Sequence, residues 1–189
     1  MRLIEVFPDS FIFEEPHGEV SGKNQLTISC HGLGFYDGRP WIAINRMTCS
    51  PMQLFHLIQG WTDIKTLHSV RLAACKSANS NSNKYMQPLM GVTSKPRITS
   101  FASKLSIHLG NVYVMSYEGW IFTTCDEEII WNRHNSRGEA YTKNVLERCF
   151  MVIKDNSDYH YHCVIFLNGR IVEERYPIQN INGQDFACL

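Results

Sequence analysis

Two residues that could do chemistry together follow two apolar runs of the sequence. His31 comes after "LTISC", and Cys75 ends the run "SVRLAAC". A cysteine nucleophile needs a base to accept its proton and backbone donors to hold the oxyanion that forms on the substrate. His31 could be the base, and the N–H groups of Gly32 and Cys75 could be the oxyanion donors. The pair therefore predicts nucleophilic catalysis by a thiolate.

The segments around this pair predict a parallel sheet. "NQLTISC" is typical of a strand, and a hairpin-like insert after it leads to a helix with Ser50 as its N-cap and Pro51 as its first residue. "SVRLAAC" is typical of a strand buried on both faces, and a helix over residues 98–110 and a strand over 111–117 follow. Such alternation indicates parallel strands joined by right-handed crossovers. Because reactive groups collect at the carboxyl ends of these strands, we expect His31 and Cys75 to face one cleft.

The remaining segments predict antiparallel strands at both ends of the chain. "RLIEVF" and "FIFEE" indicate two short strands near the start. After Glu118, strands are expected in "GWIFTT", "CFMVIKD" and "YHYHCVIFLNGRIVEERY", with Asn168-Gly169 as a two-residue hairpin turn. The sequence therefore predicts one α/β domain over residues 1–189. It has a mixed, mainly parallel sheet flanked by helices, a core over about 26–120 and a β-rich subregion over about 121–189.

Composition narrows the classes of partner. Eighteen basic residues balance eighteen acidic ones, so no global field favours nucleic acid. No apolar run approaches the ~20 residues that span a bilayer, and the first 30 residues lack a signal-peptide pattern. The seven cysteines are odd in number and include no CxxC pair, which favours reduced thiols. We expect a cytoplasmic protein, or an effector secreted into a host cell without a classical signal peptide.

The ordered features resemble the clan CD cysteine peptidases, the group of caspases, legumains, gingipains, separases and the self-processing protease domains of large bacterial toxins. His31-Gly32 after one strand and Ala74-Cys75 after the next are 44 positions apart (75 minus 31), near the caspase spacing of about 50. The segments "SPMQLFHLI" and "VYVMSYEGW" extend the likeness over residues 26–120. The toxin-type domains and related bacterial effectors are the most similar group. Unlike caspases, the chain has no glycine directly after the cysteine.

The resemblance implies a caspase-like fold whose C-terminal third is β-flap-like, and a cysteine endopeptidase with a His31–Cys75 dyad. Its substrate would be a protein or peptide, and its role that of a bacterial effector or toxin-related virulence protease. In several members of the clan, the side chain two places before the cysteine, here Ala73, lines the pocket for the residue before the scissile bond. The following strand would add Met115, Tyr117 and Glu118. The face with Met115 and Tyr117 predicts leucine or a similar side chain, and Glu118 would instead select a basic one.

No resident cofactor or metal is predicted. The toxin-type domains are activated by inositol hexakisphosphate, which orders their β-flap. The charges over residues 119–176 are mixed rather than basic, so the sequence predicts no strong dependence on this polyphosphate. His160 and His162 share one strand face and could begin a zinc site, but no third ligand has suitable local spacing.

Two other functions fit parts of the pattern. "HGLG" resembles the oxyanion loop of esterases, and residues 73–77 resemble the nucleophile elbow of an α/β-hydrolase with a cysteine nucleophile. That fold needs a histidine after the nucleophile, for which His108, His134, His160 and His162 are available. A non-catalytic caspase-like scaffold that keeps the fold without turnover is the other alternative.

Overall fold

The computed structural model describes residues 1–79, 99–154 and 163–175, which form twelve strands and four α-helices. The strands are β1 (Arg2–Phe7), β2 (Ser10–Pro16), β3 (Asn24–Ser29), β4 (His31–Tyr36), β5 (Arg39–Ile44), β6 (Met47–Cys49), β7 (Leu67–Ala73), β8 (Tyr113–Tyr117), β9 (Ile121–Thr123), β10 (Val152–Lys154), β11 (Cys163–Leu167) and β12 (Arg170–Arg175). The helices are α1 (Pro51–Trp61), α2 (Phe101–Leu109), α3 (Glu127–Arg137) and α4 (Glu139–Cys149). A short 3₁₀ turn, Ile64–Thr66, precedes β7.

Seven strands form a mixed central sheet in the order β1-β2-β3-β7-β8-β11-β12. The central strands β3, β7 and β8 are parallel, and the outer strands on both sides are antiparallel. The predicted alternation of strands and helices over residues 26–117 is therefore confirmed. The hairpin-like insert is a separate three-stranded sheet, β4-β5-β6, placed between β3 and α1.

Helices α1 and α2 cover one face of the central sheet, because each has a strong start and a continuous apolar stripe. The Ser50 side chain accepts a hydrogen bond from the Gln53 N–H, the Gln53 side chain accepts one from the Ser50 N–H, and Pro51 fits the first turn. Ser100 caps α2, because its side chain accepts a hydrogen bond from the Ser103 N–H. The two helices bury a shared core against β3, β7 and β8 that includes Ile28, Leu54, Ile58, Leu72, Phe101, Leu105 and Val114.

The opposite face of the sheet is covered by two separate groups of elements. Helices α3 and α4 lie over β1 and β2, where Phe11, Phe13, Ile130 and Leu146 are buried together. The pair β9–β10 lies over β7, β8 and β11, where it closes a second apolar cluster. This face carries the candidate site, as the next subsection describes.

The β-rich reading of residues 121–189 is wrong for residues 127–149, which form α3 and α4. Asp126 caps α3 by accepting a hydrogen bond from the Ile129 N–H, and Gly138, with φ of 82°, separates the two helices. Ile130 is the one fully buried residue of α3, so the apolar periodicity that would reveal a helix is weak. The strands expected in this region are present as β9, β10, β11 and β12. The Asn168-Gly169 turn has positive φ at both residues, as its hairpin type requires.

Among the helices that the structure describes, none is long and apolar enough to cross a membrane. Four basic residues of α3 and α4 lie at the surface: Arg133, Arg137 and Arg148 are exposed, and Lys143 is half-buried.

Packing of α1 on the sheet should dominate the stability of this face. Leu54 is fully buried and Leu57, on the same helix, is 39% exposed. We expect Leu54→Ala to lower the free energy of unfolding by about 2–5 kcal/mol, because it removes buried methyl groups and leaves a cavity. Leu57→Ala should change it by less than about 1 kcal/mol. Urea denaturation of both variants measures the difference, and equal losses would contradict this account of the core.

Candidate active site

The ends of β3 and β7 meet at one edge of the sheet, as the sequence predicts. The strands are parallel neighbours with Ser29 paired to Ala73, and the Cys30 N–H donates to the Ala73 carbonyl at 3.1 Å. His31 then begins β4, whereas Cys75 lies two residues beyond the end of β7 in a turn. Both residues therefore leave the sheet at the same edge from adjacent strands.

Gly32 packs directly against the backbone of Cys75. A Cβ atom added to Gly32 would lie 1.7 Å from the Cys75 carbonyl oxygen and 2.7 Å from its carbonyl carbon. No other residue type fits this approach without moving one of the two segments, so glycine is required here for space rather than for an unusual φ. The contact fixes His31, the preceding residue, beside the loop that carries Cys75.

The buried neighbours of the pair point away from the site. Cys30 is 4% exposed and packs in the core under α1, because neighbouring residues of a strand face opposite ways. Ala74 belongs to the same core, whereas Cys75 packs against the cluster on the opposite face of the sheet. His31 is exposed. Alternation thus turns the histidine and the cysteine out of the core that holds the residues before them.

Residues 119–121 hold the Cys75 loop from the other side. The Cys75 thiol donates to the Ile121 carbonyl at 3.4 Å, and the Ile121 N–H approaches the same sulfur at 3.5 Å. The Lys76 N–H donates to the Gly119 carbonyl at 2.6 Å, and the Lys76 ammonium lies 4.0 Å from the centre of the Trp120 ring. The backbone of Ile121 therefore confines the sulfur, while Gly32 packs against the backbone of Cys75.

The environment favours the protonated thiol in this state. Burial raises the pKa of Cys75 above its usual value, and the negative charge of Glu127 raises it further. The Ile121 backbone hydrogen bond and the positive charge of Lys76 lower this pKa, but by less than burial raises it. Cys75 is thus a thiol at neutral pH in this state, and a base must take its proton before it can attack.

The residues predicted to line a substrate pocket lie next to Cys75 but are covered. Ala73, Met115 and Tyr117 share the sheet face against which Cys75 packs, and they are 2%, 6% and 0% exposed. Ile121 of β9 and Val152 of β10 complete this cluster, which also contains Cys163 and Ile165. Glu118 is buried but lies outside the cluster. The roles of all four residues in substrate binding, and of the Gly32 and Cys75 N–H groups in binding an oxyanion, stay predictions.

Sequence reasoning missed the groups that surround the sulfur from distant segments. Ile121 contacts it through backbone atoms, which no residue type reveals. Glu127 is brought close by a hydrogen bond from the Ser29 hydroxyl at 2.6 Å. The run Asp126-Glu127-Glu128 carried a usable signal, because acidic residues after a capping aspartate mark a helix start.

No group of three or more His, Cys, Asp and Glu side chains within residues 1–79, 99–154 and 163–175 could hold a metal ion. His160 and His162, which by sequence could begin a zinc site, lie outside the described residues. All six cysteines within these ranges are free thiols.

No protein-family model, curated protein or solved structure matches the chain.

Replacing Gly32 tests the close approach of the two strand ends. Gly32→Ala should destabilise the fold by about 1–3 kcal/mol or more, because its methyl group would overlap the Cys75 carbonyl. Gly60→Ala is the matched control: nothing lies within 4 Å of the added Cβ and the site is helical, so it should stabilise by about 0.5–1 kcal/mol. Thermal denaturation distinguishes the two, and a harmless Gly32→Ala would refute the contact.

Proposed function

We propose that this chain is a cysteine endopeptidase that uses a His31–Cys75 dyad. The observation that carries the proposal is the contact of Gly32 with the Cys75 backbone, which sets the His31-Gly32 pair beside a cysteine at the carboxyl edge of a parallel sheet. That edge is where open α/β sheets build their sites. A buried structural cysteine would need neither the exposed histidine nor the close glycine.

The reaction follows acyl transfer through a thioester. His31 takes the proton of the Cys75 thiol, and the thiolate attacks the scissile carbonyl carbon to form a tetrahedral oxyanion. The Gly32 and Cys75 N–H groups stabilise this oxyanion. The protonated His31 then gives its proton to the departing amine as the C–N bond breaks. Water, deprotonated by His31, attacks the thioester and releases the carboxyl product and the Cys75 thiol.

The topology supports a caspase-like arrangement as the finer description of the fold. Parallel strands β3, β7 and β8 form the centre, and a small separate sheet and one helix lie between the histidine and the strand that leads to the cysteine. On this reading the substrate is a protein or peptide, and the chain acts as a bacterial effector or toxin-related virulence protease, in the cytoplasm or after delivery into a host cell.

One observation favours a non-catalytic scaffold as the second candidate. The Cys75 thiol is engaged by Ile121 and its pKa is raised by burial, so the described state holds the nucleophile in an unreactive form. The esterase alternative is less well supported. A nucleophile elbow joins a strand directly to a helix, whereas residues 75–78 form turns and α2 begins at Phe101.

Covalent labelling distinguishes the peptidase from the scaffold. A peptide with a thiol-reactive electrophile at its carboxyl end should label Cys75 in the wild type, and Cys75→Ala should abolish labelling. His31→Ala should slow labelling by about 10²–10⁴-fold, because the thiol loses its base. Peptide mapping by mass spectrometry identifies the labelled cysteine.

Two matched controls accompany this experiment. Cys149→Ala removes an exposed thiol, and His56→Ala removes an exposed histidine on α1, so neither should change the labelling rate of Cys75. A scaffold would give slow labelling that is insensitive to His31→Ala. An esterase would hydrolyse ester substrates and leave peptide bonds intact.

The mixed charge of the C-terminal region predicts that inositol hexakisphosphate is not required. We expect the wild type to cleave peptides without it and the melting temperature to change by less than about 2 °C on its addition, since no strong binding would shift the folding equilibrium. Differential scanning fluorimetry measures the shift. A large rise would show that basic residues cluster in space despite their spacing in sequence.

A further inference from the structure

One carboxylate is fixed on the sheet face beside the nucleophile. Ser29 is fully buried at the end of β3, its register partner is Ala73, and its hydroxyl donates to Glu127 Oε1 at 2.6 Å. Because adjacent strands lie about 4.8 Å apart, this bond sets the Glu127 carboxylate near Ala73, two residues before Cys75.

Glu127 is also held from its own backbone. It is the first residue of α3, and the Asp126 side chain caps this helix by accepting the Ile129 N–H at 2.9 Å. The positive end of the helix dipole stabilises a carboxylate in the first turn. The side chain is half-buried, and these contacts fix its position.

No Lys or Arg within the described parts of the chain forms an ion pair with this carboxylate. Its charge nevertheless affects the pKa of the thiols at the site. Burial is the largest cause of the raised pKa of both Cys30 and Cys75, and the negative charge of Glu127 raises each of them further. Glu127 is therefore a half-buried anion, without a cationic partner, within electrostatic range of the nucleophile.

We propose that Glu127 binds the side-chain cation of an arginine or lysine that precedes the scissile bond, an inference that rests on the peptidase function proposed above. A guanidinium or ammonium would supply the opposite charge that the half-buried carboxylate lacks. Ser29 holds Oε1 in place, which leaves Oε2 to accept a hydrogen bond from an incoming side chain. The substrate class is thus basic peptides rather than the leucine peptides favoured by the sequence.

Two other charged residues could select the side chain of a substrate. Glu118, the basic selector considered from the sequence, lies outside the cluster next to Cys75. Arg71 is paired with Thr27 and Met115, one step further from Cys75 on the face that carries Ala73, and its Nε is buried without a partner. Arg71 would favour an acidic substrate side chain. Glu127 lies at the level of Ala73, however, and is therefore nearer to Cys75 along the strand than Arg71 is.

A basic substrate would also assist the chemistry. The charged and titratable groups around the Cys75 thiol are His31, Lys76, Glu127, the thiol of Cys30 and, four residues earlier on the same strand face, Arg71. Pairing Glu127 with a substrate cation offsets the one carboxylate among them, so the Cys75 thiol ionises at lower pH when an arginine side chain is bound. A leucine side chain has no such effect.

The test profiles cleavage of a fluorogenic peptide library by the wild type, Glu127→Gln and Glu128→Gln. Glu128 is the matched control, because it is exposed in the same first turn of α3. We expect arginine and lysine to dominate for the wild type and for Glu128→Gln. Glu127→Gln should lower kcat/KM for arginine peptides about 10- to 100-fold, the worth of one charge-assisted contact, and leave leucine peptides nearly unchanged. Ser29→Ala, which frees the carboxylate, should weaken the preference without removing it.

A second measurement needs no turnover. The rate of Cys75 alkylation by iodoacetamide, followed by peptide mapping across pH 6–10, reports ionisation of the thiol. Glu127→Gln should move this profile to lower pH more than Glu128→Gln does, because it removes the nearer negative charge. Equal shifts in the two variants would contradict the position assigned to Glu127.

The outcomes separate the two proposals. Cleavage that prefers leucine, or that is unaffected by Glu127→Gln, overturns this inference and leaves the peptidase standing. Preference for aspartate or glutamate overturns it in favour of Arg71. No cleavage in any pool, with no labelling of Cys75 by peptide electrophiles, overturns the peptidase and this inference together.

Discussion

The site depends on the distance between two backbones, those of Gly32 and Cys75. Side chains can adjust to a substitution by changing rotamer, but a backbone carbonyl 1.7 Å from an added Cβ can yield only if a strand end moves. The parallel pairing of β3 with β7 brings the two segments to the same edge, and the absence of a side chain at position 32 lets them touch. The position of the exposed His31 beside the Cys75 loop follows from that contact, whereas the hydrogen bonds of Ile121 confine the sulfur.

The two faces of the central sheet differ in polarity. Under α1 and α2 the central strands are apolar, with Ile28, Leu72 and Val114 fully buried. On the opposite face β3 and β7 present Gln25, Thr27, Ser29, Ser69 and Arg71 between two apolar clusters. Buried polar groups are retained where they are hydrogen-bonded or serve a ligand. The hydroxyl of Ser29 is an example, because it holds the Glu127 carboxylate on the sheet face that carries Ala73.

Much of the fold could be predicted from local signals. The cap at Ser50, the apolar run before Cys75 and the Asn168-Gly169 turn each specify their own structure, and all three are present. Helices α3 and α4 were missed because they bury few residues, so their periodicity is weak and their evidence lies in the caps at Asp126 and Gly138. The site was predictable as far as residue type carries the signal, at His31, Gly32 and Cys75. The contacts of Ile121 and Glu127 with this region come from segments 46 or more positions away and depend on how β9 and α3 pack on the sheet.

The contacts around Cys75 differ in strength, so some of them break more easily than others. Bonds to sulfur are long and weak, so the two contacts with Ile121 are the easiest to break. The cation–π contact between the half-buried Lys76 and the exposed Trp120 stabilises the Cys75 loop by about 0.5–1 kcal/mol. The bond from the Lys76 N–H to the Gly119 carbonyl is short and joins two backbones, and the Gly119 N–H is in turn bound by the Asn79 side chain. Gly119 is therefore the anchored end of this segment and Ile121 the end that can yield. Movement of Ile121 would uncover the sulfur together with Ala73 and Met115, while the contact between Gly32 and Cys75 stays closed.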